Sequence, residues 1–217
     1  MIHPVLIVGG GGHTKVLIEA IRLCSIPILG ILDADPTKVG TEISGVRVIG
    51  NDDMISEYDP KKVALINGIG SIHHPKSRMT AFNKFKGRGF TFAVVVHPST
   101  IVASDVVIGE GSQIMAGAVI QPGVTIGADT IVNTRVSIDH DCVIGDNVHI
   151  APGVTLSGSV KVGDGVHIGT GATVIQSVTI GSNSVVGAGS VVVDNVPDDA
   201  EVFGVPAKPK KNSLMGD

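Results

Sequence analysis

Large rings are almost missing from this sequence. It has no tryptophan, one tyrosine and five phenylalanines, so aromatics make up only 3% of its 217 residues. A core without rings must be built from Val, Ile, Leu and Ala, which suits a narrow, repetitive interior. Cysteine is nearly absent too. Cys24 and Cys142 give neither a disulfide framework nor a CxxC metal pattern, so a reducing cytoplasm is the expected compartment. Basic charge is not in excess. The net charge of −4 argues against a nucleic-acid partner and is too slight for a disordered acidic tail. No apolar run approaches the ~20 residues that cross a bilayer. The opening MIHPVLIVGGGG lacks a basic n-region and a long apolar h-region, so neither a signal peptide nor a membrane partner is expected. What is plentiful is glycine, 29 residues, which marks tight turns and crowded backbone.

The chain changes character near residue 97. Before it, apolar strands alternate with helical patterns. VLIVGGGG (5–12) is a strand ending in glycines, and HTKVLIEAIRLC (13–24) has apolar residues at helical spacing. ILGILDAD (28–35), KKVALINGIG (61–70) and FTFAVVV (90–96) read as further strands, with a helix over 75–89 closed by glycine. Residues 1–97 are therefore expected to form an α/β domain with a small, Rossmann-like parallel sheet.

From Val102 onward an aliphatic residue recurs every six positions. The series passes through Ile108, Ile114, Ile120, Ile126, Val132, Ile138, Ile144, Ile150, Leu156, Val162, Ile168, Val174, Ile180 and Val186 to Val192. None of the sixteen positions is polar, so residues 98–217 are read as a parallel β-helix of hexapeptide repeats followed by a tail. Each hexad is a short strand and a turn. Three hexads close a coil, and the next coil stacks one strand spacing (~4.8 Å) further on. The period does not fix the handedness. The tail VPDDAEVFGVPAKPKKN (196–212) breaks it, and its prolines exclude a helix through most of its length.

Within this regular background, VSIDHDCVIGD (136–146) stands out. His140 does not occupy the inward slot. Its pKa range suits a general base, and a carboxylate on the other ring nitrogen, from Asp139 or Asp141, would fix its tautomer. Neighbours on a straight strand point oppositely, so the pair must lie near a corner. The competing reading is a solvated polar turn. His149 and His167 lie one coil apart and should stack on one edge of the prism; His149, half a coil from His140, belongs to a different face. His167 is read as a surface histidine, Cys142 as packing, and His73, His74 and His97 carry no role. In the first domain, GGGGH (9–13) ends a strand and starts a helix, where free N–H groups and the helix dipole favour phosphate. It is not a full dinucleotide fingerprint. Asp33 ends the second strand about 20 residues on, where an acidic residue can hold a ribose or base, and Asp35 is a neighbouring candidate. Gly70 and Ser71 end the next strand on the same sheet edge. For the glycines and both aspartates, helix capping and turn formation compete with binding.

The motifs VGGGGHTK (8–15), NTRVSIDHDCVIGD (133–146) and FGVPAKPKK (203–211) occur together here. With them the chain resembles the hexapeptide-repeat nucleotide-sugar acetyltransferases of the sialic acid O-acetyltransferase-like family. Within it, the chain is most similar to the acetyl-CoA-dependent N-acetyltransferases of nucleotide-linked 4-amino-4,6-dideoxy sugars. The resemblance implies a left-handed helix and a homotrimer with active sites between subunits. It implies His140 as base with Asp141 as its partner, and sugar-nucleotide binding by Gly11, Gly12, His13, Asp33, Asp35, Gly70 and Ser71. Asn133 would contact the amino sugar, and His149 acetyl-CoA near the thioester carbonyl. Gly158, Thr170 and Ala188 would line the CoA groove, with Lys208 a candidate for CoA phosphates. The γ-class carbonic anhydrases share the helix and bind zinc through histidines, but their close His-x₄-His pair is missing here, so no metal is expected.

The reading is therefore an N-acetyltransferase acting on a nucleotide-linked amino sugar, with acetyl-CoA as co-substrate. Two alternatives stay open: O-acetylation of a sialic acid or related sugar hydroxyl, and a non-catalytic sugar-nucleotide-binding module.

Overall fold

The computed structural model describes residues 3–71 and 76–210. His73, His74 and Lys211 lie outside these. The first strand, β1 (Val5–Val8), is buried along its whole length and leads through glycines into helix α1 (Gly12–Leu23). β2 (Ile28–Leu32), the short β3 (Glu42–Ile43), β4 (Val46–Gly50), β5 (Ala64–Asn67) and helix α2 (Lys76–Lys86) follow. The sheet order is β3-β4-β2-β1-β5. β1, β2, β4 and β5 run parallel, as the alternation of strands and helices predicts, but β3 pairs antiparallel with β4. This edge hairpin adds one antiparallel pair to the small parallel sheet that was expected. Its turn is Ser44-Gly45, both at positive φ (47° and 73°), a pairing that suits the right-handed twist of a two-residue hairpin. The signal was present in EISGVRV, where Val46 and Val48 are buried and Arg47 exposed.

The expected strand over 90–96 also divides differently. Phe92 bridges to Leu65 in the α/β sheet, whereas Val95–Val96 pair with Gln113–Ile114 of the β-helix. One extended segment thus hands the chain from one architecture to the other. Phe82, Phe85, Phe90 and Phe92 cluster behind it, so the few rings in the sequence concentrate in this one core.

From there three parallel sheets of two-residue strands form a left-handed β-helix. Face A carries strands at 95–96, 113–114, 131–132, 149–150, 167–168 and 185–186. Face B runs from 101–102 to 191–192, and face C from 107–108 to 179–180. Successive strands on a face are offset by 18 residues, for example Ile131↔His149 and His149↔His167. Of the aliphatic series, every member from Ile114 to Val192 is buried. A second inward series lies two residues earlier in each hexad: Ala118, Val124, Val136, Cys142, Val148, Val154, Val160, Val166, Ala172 and Val178. Cys142 is therefore packing, as expected, with its thiol directed to the Ser157 carbonyl at 3.2 Å. Where this series turns polar, a hydroxyl satisfies a carbonyl: Thr130 Oγ1 donates to Gly145 O (2.9 Å) and Ser184 Oγ to Pro197 O (2.7 Å).

The corners share one backbone feature. Position φ is positive at every sixth residue from Gly111 to Gly189, including Asp129, Arg135, Asp141, Asn147, Ser159, Ser177 and Asn183. At the far end, Glu201–Phe203 adds to face A and then pairs antiparallel with Lys208–Pro209, so the tail caps the prism as strand rather than helix. Among the described residues, no helix is long and apolar enough to cross a membrane.

Ile168 has 0% exposure in the middle of this stack. Ile168→Ala is expected to cost about 2–5 kcal/mol and Ile168→Val about 0.5–1.5 kcal/mol, measured by urea unfolding at one protein concentration. Equal, small costs would mean that position 168 does not sit in a packed interior.

Candidate functional site

Two sets of polar groups stand out, one in each architecture. The first lies at the carboxyl ends of β1, β2 and β5, where the strand order reverses around β1 and open α/β sheets characteristically bind ligands. A cavity of about 290 Å³ opens there, lined by Gly9, Gly10, Gly11, Asp33, Gly68 and Gly70 among others. Gly11 is the N-cap of α1, and no side chain caps that end. No acidic residue lies in the first turn either, so the unpaired N–H groups and the dipole are available to an anion. Glycine matters at Gly10, where a Cβ would lie 2.8 Å from Asp33 Oδ2.

Asp33 holds this loop. Its Oδ2 accepts from Gly10 N (2.6 Å) and Lys38 Nζ (2.9 Å), and its Oδ1 from Asp35 N (2.9 Å). Burial, the largest single influence, pushes the Asp33 carboxyl up. The Lys38 hydrogen bond, the two backbone N–H groups and the Lys38 charge together outweigh it and hold the group below the ordinary carboxylate range. Asp35 is exposed and caps the next turn, accepting from Thr37 N (2.9 Å) and Thr37 Oγ1 (2.7 Å). Of the two candidates, Asp33 faces the cavity and Asp35 serves the turn.

His13, in the first turn of α1, reaches toward the β-helix, with Nε2 2.7 Å from Gln113 Oε1. Burial drives its pKa down to about 4, against the Gln113 hydrogen bond and with a further push from Arg78. His149 lies on the same seam. Its Nδ1 is 2.8 Å from the Ser71 carbonyl and its Nε2 3.3 Å from Asn133 Nδ2. Burial lowers this pKa to about 4 as well, with the Ser71 bond opposing and the His13 and Arg78 charges adding to it. His167 stacks on it as the 18-residue spacing predicts, ring centroids 5.0 Å apart and nearly perpendicular. The structure therefore brings together His13, Ser71, Asn133 and His149, residues drawn from both architectures.

The second set lies on the corner between faces B and C. His140 Nδ1 is 2.8 Å from Asp141 Oδ2, and Asp139 Oδ1 accepts the His140 backbone N–H at 2.8 Å. Asp141 has φ 59°, one of the left-handed corners, and this lets two adjacent side chains meet. Of the two carboxylates, Asp141 takes the ring and Asp139 the backbone. The imidazole is about half exposed. Its pKa is raised chiefly by the Asp141 hydrogen bond, against slight desolvation, with the charges of Asp139 and Asp141 assisting. One coil on, Gly158 lies directly under the ring, where a Cβ would stand 2.5 Å from His140 Nε2. Gly158 thus belongs to the His140 corner.

Thr170 and Ala188 stack on another edge, the corner between faces A and B, where Gly189 N donates to Thr170 O at 2.9 Å. Both are exposed. Within one chain they share an edge with neither His140 nor Gly158. Lys208 is an exposed tail lysine 3.4 Å from Asp194 Oδ2. His97 is taken up by Ser99, whose Oγ lies 2.8 Å from Nδ1. Among the described residues no three His, Cys, Asp or Glu side chains are grouped to hold a metal ion.

Sequence reasoning missed the residues that join the two architectures. Arg78 and Asp129 form a fully buried ion pair, Nη2 to Oδ1 at 2.8 Å. Burial pushes the Asp129 carboxyl up to about 7, against the pull of Arg78 and Asn67. Asn67 Nδ2 donates to both Asp129 oxygens, and Gln113 Nε2 to Asn67 O at 2.7 Å. The partners lie 46 to 62 residues apart in sequence, beyond the reach of any local pattern. The one available signal was Asp129 itself, a charge in a hexad otherwise suited to packing.

Comparison with known proteins agrees with this arrangement. The PglD N-terminal domain family matches residues 4–85, and the bacterial transferase hexapeptide (six repeats) family matches 105–138, 123–158 and 159–194. A histidine mutant of perosamine N-acetyltransferase from Caulobacter crescentus, solved in complex with CoA and GDP-perosamine, is 38% identical with a TM-score of 0.89. The match covers 98% of this chain and 99% of that one. The acetyltransferase domain of PglB from Neisseria gonorrhoeae FA1090 is 34% identical with a TM-score of 0.88, covering 96% and 100%, and has also been solved with acetyl coenzyme A. WeeI from Acinetobacter baumannii AYE is 28% identical with a TM-score of 0.79, covering 95% and 99%. No curated protein sequence matches the chain. An α/β domain with an open glycine-lined cavity, joined to a hexapeptide β-helix over nearly the full length of these relatives, makes this chain a member of the hexapeptide-repeat acetyltransferases that carry a PglD-type N-terminal domain.

Proposed function

We propose that the protein transfers acetyl from acetyl-CoA to the 4-amino group of a nucleotide-activated amino-deoxy sugar, with His140 as general base. The observation that carries this is the His140–Asp141 pair, exposed on a corner with the ring resting over Gly158. Asp141 engages Nδ1, so in the neutral ring the lone pair lies on Nε2, the atom a base needs. The relatives solved with GDP-perosamine and CoA, and with acetyl coenzyme A, supply the substrate class.

The reaction needs no acetyl-enzyme. The amine nitrogen attacks the thioester carbonyl carbon, the C–N bond forms, the C–S bond breaks, and CoA leaves as the thiolate. His140 Nε2 takes the proton that the nitrogen loses. The glycine-lined cavity would hold the pyrophosphate at the N-terminus of α1. Asn133 would orient the sugar, and Thr170 and Ala188 would flank the pantetheine. His140 and Gly158 lie on one edge of the prism, and Asn133, His149, Thr170 and Ala188 lie elsewhere. A homotrimer completes the site by setting the His140 corner of one subunit against the seam of the next. The residues 1–97 and 98–217 then divide the work between nucleotide and acetyl donor. Cys24 and Cys142 are free thiols, and a reducing cytoplasm is the compartment we propose.

The deciding assay is thiol release from acetyl-CoA against UDP-, GDP- and dTDP-linked 4-amino sugars, with 4-hydroxy counterparts as controls. Turnover is expected with one amino sugar, and His140→Ala should lower it about 10²–10⁴-fold. Turnover confined to the hydroxy sugars, or to free sialic acids, would replace N-transfer by O-transfer. Binding without turnover on any acceptor would leave a sugar-nucleotide-binding module.

The pH dependence has a definite sign. The base works only when unprotonated, and the Asp141 bond raises its pKa. Activity should therefore rise with pH through a value above the ordinary histidine value of 6.5. Asp141→Asn removes that support, so the acid limb of kcat/KM should move to lower pH while the maximum falls. A limb that does not move would separate Asp141 from the base.

A further inference from the structure

The carbonyls of the segment 67–71, one wall of the glycine-lined cavity, are held almost entirely by side chains. Asn67 O accepts from Gln113 Nε2 (2.7 Å) and Arg78 Nη1 (2.9 Å). Gly68 O accepts from Thr14 Oγ1 (3.1 Å), and Ile69 O from Arg78 Nη1 (2.8 Å). Ser71 O accepts from His149 Nδ1 (2.8 Å). Gly68, Ile69 and Gly70 line the cavity itself. The segment therefore touches the cavity in its middle and His149 at its end.

The bond to Ser71 also defines the imidazole. A carbonyl only accepts, so Nδ1 carries the hydrogen and Nε2 is an acceptor. Asn133 agrees with this. Its Oδ1 accepts from Thr134 N (2.8 Å), which turns its Nδ2 toward His149 Nε2. The position of one backbone carbonyl thus sets the tautomer and tilt of His149 and, through it, the rotamer of Asn133.

We propose that Arg78 and Asp129 are positioning residues that make the segment 67–71 a rigid link, by which occupation of the glycine-lined cavity resets His149. Arg78 is 1% exposed and Asp129 0%. The Arg78 fork makes four contacts at once: Asp129 O, Asp129 Oδ1, Asn67 O and Ile69 O. Asn67 Nδ2 donates to the same carboxylate and to Arg78 O. The far end of the lock is a β-helix corner at φ 52°, anchored by Asp129 N to Glu110 O at 2.8 Å. A segment pinned this way cannot yield locally. A ligand that shifts Gly68–Gly70 must move the whole segment, and Ser71 O with it. Lysine cannot replace Arg78, because a single ammonium does not match a planar fork of four contacts.

The inference rests on the reading of the cavity as the nucleotide site, and one experiment separates the two. Full-length protein labelled with ¹⁵N-histidine is titrated with UDP, GDP and dTDP, none of which carries the sugar. Calorimetry records binding, and the His149 ring nitrogens are followed by NMR. In the free protein His149 should show the Nδ1–H tautomer. The nucleotide that binds should shift these signals. In Arg78→Lys and Asn67→Ala the nucleotide should still bind, but the shift should be lost, and the Lys variant should not restore it. Binding without any shift in the wild-type protein overturns the link and leaves the cavity reading intact. A shift that persists in a folded variant means direct contact and also overturns it. Absence of a shift in the wild-type protein overturns the link whether or not either variant folds. No binding of any of the three nucleotides overturns the cavity reading and the link together.

Discussion

The β-helix depends on a corner at which the backbone takes positive φ, repeated every six residues. A strand of two residues cannot bend around a prism by itself. The bend comes from one residue in the left-handed region, and L-residues resist that region by roughly 1–2 kcal/mol. Glycine meets it most cheaply, and Asp, Asn and Ser follow; the series from Gly111 to Gly189 uses all four and adds one arginine, Arg135. The stack makes the conformation obligatory. From Asp129 to Gly189 each corner N–H donates to a carbonyl 19 residues earlier, as Asp141 N does to Pro122 O at 3.0 Å, while Gly117 N and Gly123 N reach Ser99 Oγ and Asp105 Oδ2. A corner that relaxed would release that bond and break the register of every coil after it.

That constraint explains how a repeat can hold chemistry. On a straight strand His140 and Asp141 would point to opposite faces. At a left-handed corner they converge, and the pair costs no deviation from the repeat. Asp141 satisfies the fold through its backbone and the imidazole through its carboxylate. The same economy applies one coil on, where the repeat tolerates glycine at 158 and the ring uses the space. Cys142 follows at once in the inward series, so the chain returns to packing within two residues of the base.

The aliphatic series was legible in the sequence because every position demands the same property, and one polar residue would have broken it. The corner series was not, because glycine, aspartate, asparagine, serine and arginine share no side-chain property there, only a backbone conformation. The second inward series escaped for a related reason: Ala, Val, Cys, Ser and Thr all fit, so no single residue type repeats. In the α/β domain, the glycine turn and the first helix could be read from local spacing, but the division of labour between Asp33 and Asp35 could not. Both are acidic, two residues apart and at the end of one strand. Only the loop that folds back, with Gly10 N against Asp33, assigns them.

The seam between the two architectures was the least legible part, and its physics says why. Its groups are polar, buried and drawn from five separate stretches of chain: His13, Asn67–Ser71, Arg78, Gln113–Asp129 and Asn133–His149. A buried charge pair of this kind adds little net stability over an apolar contact, because desolvation offsets the attraction. What it adds is a single geometry. An apolar seam between a sheet and a prism could slide, since aliphatic contacts do not fix direction. Arg78, with its donors committed to named carbonyls and one carboxylate, permits one register only. The two histidines on the seam are held neutral by burial, and each has one ring nitrogen committed across it, His13 to Gln113 and His149 to Ser71. The cavity and the prism are therefore joined through directional bonds, and the position of one carries over to the other.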